Sequence, residues 1–180
     1  MLGLALPMLG LVLASTAPAQ AQEWFTDPIG GKGGQQYVLR CPGAAVVTGV
    51  SAMTGAYINN VAPICDGRTM PGAGGGGDRR SASCPAGSIV DTIDIILLRS
   101  PNHLVKALQL FCVAPGTRLQ TARVSLDTPG VYTGPYISLS RVPGYPSGTM
   151  DCANQSIVGL QGRAGDSVDA LGLICRPRAH

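Results

Sequence analysis

Cys41 to Cys65 reads CPGAAVVTGVSAMTGAYINNVAPIC, a segment that opens and closes on cysteine. Two later segments repeat it: one opens with CPAGSIVDTI at Cys84 and closes with LVKALQLFC at Cys112, the other opens with CANQSIVGLQ at Cys152 and closes with SVDALGLIC at Cys175. When the opening cysteines are superimposed, the residues five and six places later are Val46 and Val47, Ile89 and Val90, and Ile157 and Val158. When the closing cysteines are superimposed, Val61, Leu108 and Leu171 stand four places before them. Gly31, Gly33 and Gly34 precede Cys41 by the same steps as Gly74, Gly76 and Gly77 precede Cys84, whereas the third copy has only Gly144 in that window. Repetition at a period of tens of residues marks a repeated supersecondary unit, each copy too small to bury its own hydrophobic face. The units run over about 30–66, 73–113 and 134–176.

Six cysteines allow 15 pairings, and the repetition makes pairing within each unit the simplest: Cys41 with Cys65, Cys84 with Cys112, Cys152 with Cys175. Each bridge closes a loop of roughly 25 residues and restricts the unfolded chain by about 3 kcal/mol. Within a unit the pattern predicts a strand entering near the first cysteine, a second after the Val/Ile pair and a third ending at the last cysteine. Asn102 to Phe111 has spacing compatible with a short amphipathic helix, but its counterparts Gly55 to Ile64 and Gly165 to Ile174 carry glycine or proline, so a strand is expected. Pro63 implies an edge or a bulge in its strand. A connector from Pro115 to Pro135 is expected to hold one strand of its own, at Gln120 to Leu126.

Composition agrees with an all-β chain. Its 25 Gly and 14 Pro punctuate a sequence that is only 13% charged and 4% aromatic, which favours short strands and many turns. The 45% hydrophobic content opposes disorder. The net charge of +3 is small and the arginines are scattered, with no basic stripe to track a phosphate backbone, so nucleic acid is not an expected partner. Met1 to Leu13 is a nearly unbroken apolar run, and Ala19, Gln20 and Ala21 satisfy the small-x-small rule for signal cleavage. Residues 1–21 therefore read as a signal peptide and 22–180 as a single domain of a secreted or periplasmic protein. The run is shorter than the roughly 20 residues needed to span a bilayer, so no transmembrane segment is expected.

The three cysteine-bracketed segments resemble the vitelline membrane outer layer protein family over about Trp24 to Arg176. That resemblance implies a β-prism, three antiparallel sheets around a pseudo-threefold axis, here with each sheet stapled by one disulfide. The chain also resembles the jacalin-like lectins, which share this architecture, in its N-terminal glycine cluster GGKGG at Gly30 to Gly34 and its late GxxxD, Gly165 to Asp169. It departs from the egg-coat family in having Trp24 as its one tryptophan, and from the lectins in having bracketing cysteines. The lectin resemblance implies a carbohydrate site at Asp169, with Gly165, Asp166 and Ser167 in its loop and Gly30 and Gly31 opposite. A carboxylate can accept hydrogen bonds from adjacent sugar hydroxyls, and glycine lets backbone donors approach a ligand closely. The first copy places Asn59 at the aspartate position and the second places Lys106, so one site is expected where the first and third units meet. Tyr57, Tyr132, Tyr136 and Tyr145 are candidates for an aromatic platform against a sugar ring.

No catalytic group is nominated. Of the two histidines, His103 falls in a variable loop and His180 ends the chain, and no spacing singles out a carboxylate pair for glycoside hydrolysis. The absence of any CxxC leaves zinc and redox chemistry without a motif, and neither metal nor cofactor is expected. GGKGG and GAGGGG do not continue into Gly-Lys-Ser/Thr, so they read as turns and not as phosphate loops. The leading expectation is a glycan-binding protein; the alternatives are a structural coat protein without a small-ligand site and a glycan-active enzyme.

Overall fold

The computed structural model describes residues 22–99, 102–128 and 145–178, and all of its regular structure is β. The expected signal segment, Tyr132, Tyr136, His180 and the start of the third unit lie outside these residues. The first unit supplies strands β3 (Gln35–Arg40), β4 (Val47–Thr54) and β5 (Ile58–Cys65). The second supplies β8 (Asp78–Ser83), β9 (Ile89–Leu97) and β10 (Val105–Val113), and the third β12 (Ser147–Asp151), β13 (Ser156–Ala164) and β14 (Val168–Arg176). The remaining strands are β1 (Trp24–Phe25) with β2 (Ile29–Gly30) at the start of the first unit, β6 (Arg68–Thr69) with β7 (Ala73–Gly74) where the first unit passes into the second, and β11 (Gln120–Leu126) between the second and third. The expected strand in the connector is therefore present over the expected residues, and Asn102 to Phe111 contributes to β10.

Three antiparallel sheets result, ordered β1-β14-β13-β3, β6-β5-β4-β8 and β11-β10-β9-β12, with β2 on β14 and β7 on β5. Each sheet is a hairpin from one unit plus the opening strand of the next. β8 of the second unit pairs with β4, β12 of the third pairs with β9, and β3 of the first closes the circle on β13. The sequence repeat is thus offset from the sheet, and the chain crosses to a new sheet at each opening cysteine.

The disulfides are Cys41–Cys65, Cys84–Cys112 and Cys152–Cys175, the within-unit pairing. Each joins the end of an outer strand in one sheet to the hairpin of the next. At each bridge the hairpin register shifts, where Val47 opposes Cys65, Val90 opposes Cys112 and Ile157 opposes Cys175. The third copy's opening turn is one residue shorter, so Ile157 matches Val47 and Val90, and the register read from the sequence slips by one there. Such bulges bend and twist a strand, which curls the sheet around the core.

Alternation of side chains places Val50, Ile58, Ile93, Leu108, Leu110, Leu160, Leu171 and Leu173 inside, and one cluster of buried residues joins all three sheets. Pro63 shows how a missing donor shapes an edge. Its carbonyl accepts from the Met70 amide on the outer side of β5, so its absent N–H faces that side as well. The outer strand breaks there into β6 and β7, which pair with residues 64–65 and 60–61 on either side.

Replacing both cysteines of one bridge by serine should leave the other two pairs intact in non-reducing peptide maps and cost about 3 kcal/mol. The melting temperature should fall by about 6–12 °C for a domain of this size. A peptide linking Cys65 to Cys84 would contradict the closed ring of bridges.

Candidate functional site

Among the described residues, the end of the prism away from the disulfides is built from hairpin turns and from the loops that lead into β3 and β8. In the first sheet, the turn between β13 and β14 is closed by the Gly165 amide donating to the Ser167 carbonyl at 2.9 Å. Asp169 follows as the second residue of β14. Across from it, Gly30 in β2 pairs with Ala170, and the Gly31 amide donates to the Asp169 carbonyl at 2.8 Å.

Glycine is required here by contact as well as by backbone angle. A Cβ on Gly30, whose φ is +142°, would lie 2.2 Å from the Asp169 carbonyl oxygen. One on Gly33 would lie 2.3 Å from Asp169 Oδ1, and one on Gly34, whose φ is +61°, would lie 2.6 Å from Oδ2. The loop therefore folds over the carboxylate with bare backbone. Arg163 fixes its position, since Nε donates to the Gly33 carbonyl and Nη2 to the Gly34 carbonyl, each at 2.7 Å.

Asp169 is 9% exposed. Burial pushes its carboxyl above the ordinary value of 3.8, and the Arg163 charge and its own backbone amide pull against that rise. The side chain makes no ion pair among the described residues. Acceptor capacity is left over for a hydroxyl donor.

Of the residues expected at the site, Asp169, Gly30 and Gly31 are brought together. Gly165 and Asp166 are exposed in the turn, but Asp166 turns toward the second sheet, where a Cβ on Gly75 would lie 2.5 Å from the Asp166 carbonyl oxygen. The Ser167 hydroxyl likewise donates to Asn59 Oδ1 at 3.2 Å. Gly33, Gly34 and Arg163 complete the loop and were not among the expected contacts. Arg163 stands two places before the GxxxD glycine, a position in which a sequence alone does not separate a loop clamp from a surface charge.

Pseudo-equivalent positions in the other sheets differ in chemistry. The Gly75 amide donates to the Asn59 carbonyl at 2.8 Å and the Gly55 amide to the Tyr57 carbonyl at 2.9 Å, repeating the bonds at Gly31 and Gly165. Gly30 thus matches Gly74, Gly34 matches Gly77, and Lys32 is an insertion; the sequence register, which aligned Gly31 with Gly74, is one residue out at that end of the loop. Asn59 is already engaged, its Nδ2 donating to the Gly76 carbonyl at 2.8 Å while its Oδ1 accepts from Ser167. At the third position, Lys106 Nζ donates to the Ala56 carbonyl at 3.0 Å and lies 5.5 Å from the centre of the Tyr57 ring. Tyr57 is thereby occupied as a cation–π partner. Tyr145 packs on Ile96 and Ala107. Among the described residues no group of three or more His, Cys, Asp or Glu could hold a metal ion.

No family model and no curated protein matches the sequence. Solved structures do match. Wild-type Malaysian banana lectin superimposes with a TM-score of 0.55 at 19% identity, over 88% of this chain and 99% of its own. Artocarpin in complex with mannotriose gives 0.56 at 18% identity, over 87% and 98%. A mannose-binding jacalin-related lectin from Ananas comosus gives 0.54 at 19% identity, over 87% and 99%. The fold is the jacalin-type β-prism. Within that prism the glycine loop and Asp169 share one end, and the disulfide ring occupies the other.

The raised carboxyl of Asp169 has a definite consequence for stability. The native state holds this proton more tightly than the unfolded chain, so its contribution is most favourable at acid pH and is lost as pH rises from about the ordinary value of 3.8 through the higher native value. Thermal melts of the protein and of Asp169→Asn between pH 3 and pH 7 should therefore diverge, with the wild type losing stability relative to the variant as pH increases. Parallel curves would contradict the desolvated environment.

Proposed function

We propose that this protein is a secreted, lectin-like carbohydrate-binding protein with one site, formed by the Gly30–Gly34 loop over Asp169. The observation that carries the proposal is the apposition of an incompletely engaged carboxylate with a bare glycine backbone, on a β-prism whose structural neighbours include lectins solved with or described by mannose-type glycans. Asp169 would accept hydrogen bonds from neighbouring sugar hydroxyls, and the glycine loop would let a pyranose approach the backbone. The pseudo-equivalent Asn59 and Lys106 spend their polar groups on neighbouring loops, which supports a single site. Asp166 and Ser167 would border the site on the side of the second sheet.

An extracellular or periplasmic setting is part of this reading. It is supported by the apolar N-terminal run, by the small-x-small cleavage sequence and by three disulfides, which persist in oxidising compartments. The likeness of the cysteine-bracketed segments to the egg-coat proteins points to the same setting. Mass analysis of the exported protein should find Gln22 as its first residue, and export with residues 1–21 retained would overturn the signal assignment.

On a broad glycan array the mature protein should bind a defined set of glycans, mannose-terminated structures first among those to be tried. Asp169→Ala should weaken that binding at least tenfold, in line with the loss of a charged hydrogen-bond acceptor worth about 1.5–3 kcal/mol, with the circular dichroism unchanged. Absence of any glycan ligand, or full retention of binding in the variant, would sink the proposal.

A further inference from the structure

The cysteine end of the prism carries a cleft of about 1240 Å³, unconnected with the glycine loop. It is lined by the opening turns of the first two units, by Ser156 of the third, and by the residues that follow each closing cysteine. Its volume exceeds the roughly 300–1,000 Å³ of common small-ligand sites. Ala44, Val46, Pro85, Ala86, Ile89 and Pro177 give it an apolar wall. Lining glycines Gly43, Gly67, Gly87 and Gly116 have φ between +56° and +81°, and a Cβ on any of them would meet nothing within 4 Å. The backbone of the turns is thus open to the cleft.

Two arginines stand in this apolar setting. Arg176 is half-buried, and its Nη1 donates to the Gly43 carbonyl at 2.7 Å, but no carboxylate lies within 4 Å of it among the described residues. Arg178 pairs with Asp91 through Nη2 at 3.2 Å, yet its Nε is buried without an acceptor. A half-buried guanidinium without a counter-charge, beside a buried Nε with no acceptor, is a configuration that an anion relieves. The lining holds one carboxylate, Asp66, whose Oδ1 accepts from the Val46 amide at 3.2 Å.

We propose that this cleft binds a single-chain amphiphile with a carboxylate head, the hydrocarbon lying against the apolar turns and the head on Arg176, within reach of Arg178. Arginine matches a carboxylate with paired N–H donors, and burial of the chain supplies the non-directional part of the affinity. This site is independent of the glycan reading and stands or falls separately from it.

The test is calorimetric titration of the full mature protein with dodecanoate, with dodecyltrimethylammonium as a probe of the same chain length and opposite head charge. Dodecanoate should bind one to one below its micellar concentration, and the cation at least tenfold more weakly. Arg176→Gln should weaken dodecanoate at least tenfold, while Arg176→Lys should retain part of the affinity. Asp66→Asn should strengthen it, a gain that misfolding cannot imitate. The proposal is overturned by no saturable binding of dodecanoate, by equal binding of the two head groups, or by unchanged affinity in Arg176→Gln.

Discussion

The opening strand of each unit pairs with the hairpin of a neighbouring unit, and the rest of the prism depends on that exchange, with a disulfide gripping the chain where it leaves one sheet and enters the next. Without the exchange of opening strands between units, three hairpins would each expose a face too large to leave wet and too small to form a core alone. The opening strand of every unit is lent to the neighbouring hairpin, and the bridge fixes the crossing to within one Cα–Cα span of about 5.5 Å. The circle closes because β3, from the start of the chain, pairs with β13, near its end.

Fixing the crossings at one end sets what meets at the other. Among the described residues, Gly31 of the first sheet lies against the Asn102 carbonyl of the third, Gly75 of the second against Asp166 of the first, and Lys106 of the third reaches Ala56 of the second, so each hairpin turn touches another sheet. The backbone bonds at these junctions repeat closely, while the side chains that occupy them do not. Equivalent strand positions of the three sheets thus present a carboxylate, an engaged amide and an ammonium. The proposal of a single glycan site rests on that divergence and not on any asymmetry of the fold.

Much of the architecture was legible because cysteine and glycine positions are set by geometry. The within-unit bridges and the strand at Gln120–Leu126 could be read from residue type and register, whereas Pro63, expected to mark an edge or a bulge in its own strand, sits in a strand paired on both sides and breaks the neighbouring one instead. Sheet membership could not be read, because each opening strand pairs with a hairpin of another unit, across as many as 129 positions for β3 on β13, and their alternation is short. Single insertions were also invisible: Lys32 lengthens one glycine loop, and the shorter turn before Ile157 shifts the third register, yet neither changes the pattern of residue types. At the site, Asp169 and the glycines carried a spacing signal, whereas Arg163 acts by reaching carbonyls 129 and 130 positions distant. The basal arginines follow the last cysteine, where only the folded base shows which charge lacks a partner.

Glycan recognition is proposed to take place where the glycine loop covers Asp169. Amide chemical-shift mapping by NMR, on the mature protein titrated with mannotriose, tests it most directly. Saturable shifts should concentrate at Gly31, Gly33, Gly34 and Asp169, with Gly74 to Gly77 and the basal turns unmoved. Shifts centred on Asn59 and the second glycine loop, or at the cysteine end of the prism, would contradict it.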